Sequence, residues 1–384
     1  MKIGLANKQL DLRGGTERDF YLTAERLRDL GHEVHLFCGE FRVPPPAGTQ
    51  AHKVPWMCLG RTAQLLSFAH LGPKVIHPHN CDVVLSFGRM VSQDILRSGG
   101  GSHRVFLEKM RSGEGALRQL WHRVSLYHRS VLGLESIQFR PNAYKQILAV
   151  SQEVKREIID TYGVPEDRVV VIYNGVDLDR FHPGNREKVR IKIKQKWGIP
   201  PEAPLVLFVG SGFLRKGLDR LIRGWGAASL RTVYLLVVGD DLHWNRYRRR
   251  AETQGQGRIV LTGRQSNIED YFAAADILAL PALQEAFGNV ILEALASGVP
   301  VITSAIVGAA EQLKGPLKKG ILANADDSRE IEEKILWMLD RDRWPSLSTQ
   351  ARKIGENFTW ENHFQQLETY LTEVAKMDKR EDLT

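Results

Sequence analysis

Two glutamates, Glu285 and Glu293, stand eight positions apart in Pro281-Ala-Leu-Gln-Glu285-Ala-Phe-Gly288-Asn-Val-Ile-Leu-Glu293, across a loop-to-helix junction with Gly288 between them. A carboxylate accepts hydrogen bonds from two neighbouring hydroxyls, on a hexose or on a ribose. Gly288 allows a ligand close to the backbone, and the free N–H groups that open the next helix suit an anion. The layout is that of a site for a sugar attached to a diphosphate. A surface helix with two solvated glutamates is the plain alternative. Against it, the helix is otherwise apolar and small (Val290, Ile291, Leu292, Ala294, Leu295, Ala296), where an unpaired carboxylate is costly to bury. The strand-like Asp276–Leu280 leads in and Val299–Thr303 follows, so the polar residues fall at a strand's carboxyl end, where open parallel sheets bind ligands.

Three other loops carry suitable residue types. Gly14-Gly15-Thr-Glu-Arg-Asp19 follows the first strand and opens a helix, so its N–H groups can meet a phosphate; alone, it is only a tight turn. It is not G-x-G-x-x-G, which disfavours a dinucleotide dehydrogenase. Gly210-Ser-Gly-Phe-Leu-Arg215-Lys216-Gly217 frames two adjacent cations that can clamp a diphosphate, or can simply be solvated. A leaving diphosphate needs positive charge as its bond breaks, and no metal-ligand cluster stands out to supply it, so no metal and no cofactor are expected. Arg97-Ser-Gly-Gly-Gly-Ser-His103-Arg104 would let His103 donate to a sugar hydroxyl, although a structural histidine reads equally well.

These loops hang on an alternation of strands and helices. Lys2–Ala6, His32–Phe37, Asp82–Ser86, Gln146–Val150 and Val169–Ile172 read as strands, with helices Thr16–Leu30 and Ser151–Tyr162, the second capped by Ser151 and stopped by Gly163. Asn174 to Gly184 is turn-rich and Arg186–Lys196 is basic. Leu205–Gly210, Val233–Gly239, Ile259–Thr262, Ile277–Leu280 and Val299–Thr303 then resume the pattern. The fold class is α/β, with parallel sheets covered on both faces, two halves and a cleft between them. The expected domains are 1–178, a linker 179–200, 201–358, and a final helix in 359–384.

A chain of 384 residues with 43% hydrophobic and 26% charged residues can build two ordinary cores. Its net charge of +8 favours anionic partners without choosing among them. Three cysteines without metal-like spacing fit a reducing compartment, and no signal peptide or apolar run of spanning length is seen, so a cytoplasmic location is expected. Residues 104–129 mix basic and apolar residues at helical spacing, including Trp121. They could lie on an anionic membrane surface or form an ordinary amphipathic helix.

Together these motifs, with Asn174-Gly-Val-Asp177, resemble the retaining glycosyltransferases of family 4 in kind and order, over nearly the whole chain. The resemblance implies the GT-B fold, two Rossmann-like domains of which the first takes the acceptor and the second the nucleotide sugar. Within the family, the two glycine-framed motifs most resemble enzymes that glucosylate the heptose of a lipopolysaccharide core. The implied reaction moves a hexose, glucose from UDP-glucose in the first instance, to a glycan or lipid-linked glycan with retention and without a metal. By the same resemblance Glu285 would bind donor-sugar hydroxyls, and Asp19 and His103 would stand at the reacting centre. Gly14, Gly15, Ala286, Phe287, Gly288 and Asn289 would contact the sugar or diphosphate, Arg215 and Lys216 would neutralise the diphosphate, and Glu293 would hold the ribose. Many members carry an arginine where this chain has Ser211, which leaves the cation clamp to Arg215 and Lys216. A monomer that binds no nucleic acid is expected. Transfer to another glycan or glycolipid, a nucleotide-sugar 2-epimerase or hydrolase of the same fold, and a non-catalytic nucleotide-binding adaptor are the competing readings.

Overall fold

In the computed structural model the chain divides into two compact units, Met1–Tyr173 with Glu361–Thr384, and Asn174–Trp360. Residues 1–12, 14–111 and 125–381 are described. Half of the basic 104–129 segment, residues 112–124, therefore lies outside the described residues; of the rest, Leu126 to Arg129 opens helix Leu126–Gln138 and Arg104 to Arg111 belongs to helix His103–Arg111.

The first unit is a seven-stranded parallel sheet of β1 (Lys2–Leu10), β2 (Glu33–Phe41), β3 (Gln50–Lys53), β4 (Val83–Ser86), β5 (Ile95–Ser98), β6 (Gln146–Ala149) and β7 (Val169–Val171), in the order β3-β2-β1-β4-β5-β6-β7. Its central strands are buried on both faces, as consecutive buried residues in β1 (Ile3 to Ala6) and β4 (Val83 to Ser86) show. Such strands read as continuous apolar runs because helices cover both sides. Helix Gly15–Asp29 turns Phe20, Thr23, Ala24 and Leu27 onto the sheet, a spacing of three to four residues that makes one buried stripe. Helix Gln152–Tyr162 starts at Ser151, whose Oγ accepts from Val154 N, and stops at Gly163 in the left-handed region. The last helix, Trp360–Glu381, also joins this unit: Glu361 pairs with Arg26 at 2.8 Å and Glu368 with His32 at 3.1 Å.

The second unit repeats the plan with six parallel strands, β8 (Leu205–Val209), β9 (Tyr234–Val238), β10 (Ile259–Gly263), β11 (Ile277–Leu280), β12 (Val301–Ser304) and β13 (Ile321–Leu322), in the order β10-β9-β8-β11-β12-β13. Residues 179–200, expected as a linker, are part of this unit. Arg186–Lys196 is a helix whose Arg186 and Arg190 hold Asp276 at 2.5 and 3.0 Å. Its Lys194 is buried and donates to Pro201 O and Ala203 O at 2.5 and 2.7 Å. Burial, then the neighbouring Arg190, lowers that ammonium to a pKa of about 8. The positive charge of this stretch is used to anchor it.

Candidate functional site

In each sheet the strand order reverses direction at its centre, between β1 and β4 in the first unit and between β8 and β11 in the second. The carboxyl ends at such a switch point are where this architecture holds ligands.

In the second unit the chain leaves β8 through Gly210, Ser211 and Gly212, makes the short turn of helix Phe213–Lys216, and brings Arg215 and Lys216 beside the loop after β11. Gly210 has φ +145°, and a Cβ there would sit 2.3 Å from Lys216 Cδ, so only glycine lets the lysine stem fold back. Lys216 Nζ lies 3.0 Å from Glu285 Oε2. Arg215 Nη1 donates to the same oxygen and to Gln284 O, both at 2.9 Å, while Leu283 N donates to Arg215 O at 2.7 Å. The two loops are thus tied through backbone and side chain alike. Burial pushes the Glu285 carboxyl upward, but Lys216 and then Arg215 outweigh it, and the group titrates below the ordinary glutamate range. It is an anion at neutral pH.

The same turn continues through Ala286 and Phe287 to Gly288, which caps helix Asn289–Ala296 in the left-handed region at φ +88°. A short bridge to the loop after β12 steadies it: Gly308 N donates to Glu285 O at 3.3 Å and Ala309 N to Phe287 O at 2.8 Å. Asn289 accepts from Asn174 Nδ2 at 2.8 Å. Glu293 sits one turn further along, half-buried between Leu292 and Ala294, which are fully buried. Cations, a carboxylate, an open helix start and a second carboxylate thus follow one another along two tied loops and one helix. An anionic ligand carrying hydroxyls meets complementary groups along that line.

In the first unit the glycine turn opens helix Gly15–Asp29. Gly15 is exposed with no neighbouring atom within 4 Å of where a Cβ would stand, and Glu17 folds back over Gly14. Asp19 is placed differently. It is 3% exposed and its Oδ2 accepts from Nη2 of Arg97 on β5, itself 5% exposed. Arg97 also lies over the Phe87 ring at 4.7 Å, and Gly99 leaves the room its guanidinium occupies. Oδ1 of Asp19 has no hydrogen-bond partner among the described residues. His363 of the last helix lies in the field of this pair; burial lowers its pKa, against the opposing pull of Asp19, and its Nδ1 bonds to Tyr173 O at 2.7 Å.

His103 opens helix His103–Arg111 within a separate cluster. Its backbone N donates to Glu135 Oε1 at 2.7 Å, its Nε2 meets His128 Nδ1 at 2.9 Å, and its ring stacks on Phe106 and His128. Glu135 is 2% exposed and also accepts from Arg104 N and the Tyr162 hydroxyl, which burial and this bond raise well above the usual phenol range. It neutralises the start of the helix that carries His103.

Of the residues singled out in the sequence, the structure brings Arg215, Lys216 and Glu285 together; the buried Arg97, Glu135 and His363 were not assigned a role there. The Glu135 signal was available: a single acid in the largely apolar stretch Val131–Ile137 needs a buried partner, the same reasoning that singled out Glu285.

Residues 13–180 match the family described as Glycosyltransferase Family 4, and residues 203–341 match Glycosyl transferases group 1. The chain belongs to glycosyltransferase family 4. Among its relatives, lipopolysaccharide glucosyltransferase WaaG of Escherichia coli K12 is 27% identical over 327 residues, 83% of this chain and 84% of that one. D-inositol 3-phosphate glycosyltransferase 2 of Catenulispora acidiphila is 30% identical over 234 residues, 57% of this chain and 54% of its own. A crystal structure of WaaG, a glycosyltransferase involved in lipopolysaccharide biosynthesis, superposes with a TM-score of 0.79 at 23% identity, covering 96% of this chain and 99% of that one. Anabaena Alr3699/HepE, crystallised in complex with UDP and glucose, superposes with a TM-score of 0.69 at 20% identity over 97% and 99%. These likenesses establish the GT-B fold. As a family member the chain is a glycosyltransferase with two parallel-sheet domains, and among the described residues no helix is long and apolar enough to cross a membrane.

Proposed function

We propose that this glycosyltransferase moves glucose from UDP-glucose to a glycan acceptor of the lipopolysaccharide-core type, with retention of anomeric configuration. The observation that carries the donor half is the Glu285 carboxylate fixed by Lys216 and Arg215 beside the Gly288-capped helix. In this reading the two cations take the diphosphate, and the backbone of Ala286 to Asn289 lines it. Glu285 takes donor-sugar hydroxyls and Glu293 the ribose. The bond from the anomeric carbon to the diphosphate oxygen breaks as the acceptor oxygen attacks from the same face. The acceptor proton passes to the departing phosphate oxygen, so no protein carboxylate is needed as nucleophile. Arg215 and Lys216 stabilise the developing negative charge, the role that a metal fills in other sites. The first unit takes the acceptor, with the Gly14–Gly15 turn and His103 as its ligand-facing groups, while Asp19, sealed against Arg97, holds the helix that the turn opens. The glucose and UDP assignments draw support from what WaaG and HepE are named for, and the basic 104–129 segment supports an acceptor presented on an anionic lipid surface.

The test is transfer by purified protein from a panel of UDP- and ADP-sugars to a core acceptor lacking its glucose, in detergent and in anionic liposomes, with EDTA present. UDP-glucose should be the preferred donor, the product α-linked by NMR, and turnover higher on liposomes. An inverted product, or free sugar formed equally without acceptor, would reject the reading.

A further inference from the structure

A second group of potential ligands lies elsewhere in the first unit. His35 on β2, His52 on β3 and His79 in the turn His77–His79 before β4 bring one ring nitrogen each to within 4.8 Å of one another. The parallel pairing of β2 with β3 sets His52 opposite Phe37, two residues beyond His35, and the His52 and His79 rings pack on the buried Phe37 at 4.8 and 5.2 Å between centroids. His35 is 2% exposed, and the other two are half-buried. His35 Nδ1 stands 2.9 Å from His52 Nε2, while His35 Nε2 lies 2.8 Å from Glu33 Oε1. A carboxylate only accepts, so Glu33 fixes the proton on Nε2 and leaves the Nδ1 lone pair facing the other two rings. That hydrogen bond is also the main reason Glu33 titrates low.

We propose that His35, His52 and His79 form a binding site for a divalent transition metal of the zinc class, with Glu33 as the carboxylate that orients His35. Three neutral imidazoles with one orienting carboxylate are a strong donor set for zinc. Zinc–nitrogen bonds of 2.0–2.1 Å in a tetrahedron need nitrogens about 3.4 Å apart, and here His35 Nδ1 and His52 Nε2 stand 2.9 Å apart with all three ligand atoms within 4.8 Å of one another. Three protein ligands would leave a fourth position for water or a small anion.

The place of the site argues for structure rather than transfer. His35 lies near the amino end of β2, two residues from Glu33, and His79 precedes β4, so the cluster is at the end of the sheet opposite the Gly14–Asp19 turn. It joins the edge strand β3, its neighbour β2 and the turn leading into β4. A bound ion would fasten a four-residue edge strand that has few other ties.

Tag-free protein, stripped with EDTA and exposed to zinc chloride, should retain one zinc per chain after dialysis and gain several degrees in Tm. Cobalt chloride should give the visible bands of four-coordinate cobalt, bleached by added zinc. His52→Gln with His79→Ala should abolish both while keeping the metal-free Tm and circular dichroism near the parent's. Wild-type protein that holds no stoichiometric zinc and gives only the octahedral cobalt spectrum overturns the proposal, whatever the variants do. So does full zinc retention by a folded double variant. Neither result depends on the transfer reaction.

Discussion

The two units place a carboxylate and its cations at the same end of sheets with the same strand order, yet the pairs differ in exposure. Asp19 and Arg97 are 3% and 5% exposed and sealed by Phe87 and the Gly99 turn. Glu285, Lys216 and Arg215 meet in a loop whose side chains are 17%, 11% and 28% exposed, next to an open helix start. A sealed ion pair carries the full desolvation cost of both charges and is sensitive to loss of either partner. A pair that keeps partial exposure beside an open helix start can exchange one partner for a ligand of like charge at lower cost. Topology therefore decides where charge collects, and the depth of the surrounding side chains decides whether it braces the fold or receives a ligand.

The sharpest way to break this contrast is to remove one charge from each pair. Asp19→Ala leaves Arg97 buried without its counter-ion, and should destabilise the first unit by about 3–5 kcal/mol in denaturant titrations, the range for a broken buried pair. Asp19→Leu with Arg97→Met should recover most of that loss. If the single change is silent, the pair is not the brace described here.

Lys216→Ala and Glu285→Ala should behave in the opposite sense. Each leaves a partner that water or Arg215 can reach, so unfolding should shift less than for Asp19→Ala. Glucosyl transfer should fall about 10²–10³-fold in kcat, as when one preorganised electrostatic contact is lost. Near-parental turnover by either variant would remove the donor assignment. Gly288→Ala comes next in size. It forces a side chain into φ +88° with its Cβ 3.0 Å from Val307 Cγ1, a strain of about 1–2 kcal/mol. The loss should fall on donor binding, read as a raised KM for UDP-glucose, more than on Tm.

The contrast also explains what the sequence discloses. The Glu285 loop was legible because its parts are contiguous: strand, glycine, apolar helix and acid follow within twenty residues, and Gly210 to Gly217 is equally compact. Asp19–Arg97 spans 78 positions, and Arg97 hides in a four-residue strand, Ile95–Ser98, whose polar half merges with the glycines after it. That strand therefore read as loop. β3, Gln-Ala-His-Lys, carries no β-branched residue and is specified by its pairing with β2 alone. Arg186–Lys196 reads only as a basic part of the expected linker because its partners Asp276, Ala274 and Ala275 lie more than eighty positions away. What propensity and spacing expose is local, whereas each feature missed depends on a contact that only the folded sheet creates.

Acid should separate the two units, with the smallest but most specific effect. Burial holds His363 below its ordinary pKa, so the folded first unit keeps it neutral where the unfolded chain would protonate it. Its contribution is full above the unfolded value of about 6.5 and is lost as pH falls below it toward the folded pKa. Glu285 is shifted down by Lys216 and Arg215, so its contribution is present above about 4.3 and is lost only as pH falls further. Between pH 7 and 5 the first unit should therefore weaken while the second holds, by at most about 1.4 kcal/mol per pH unit for one proton. Hydrogen exchange at several pH values resolves the two units separately, and His363→Gln should flatten the profile of the first alone. Equal weakening of both units over that interval would mean that the difference between sealed and open charge does not reach their acid stability.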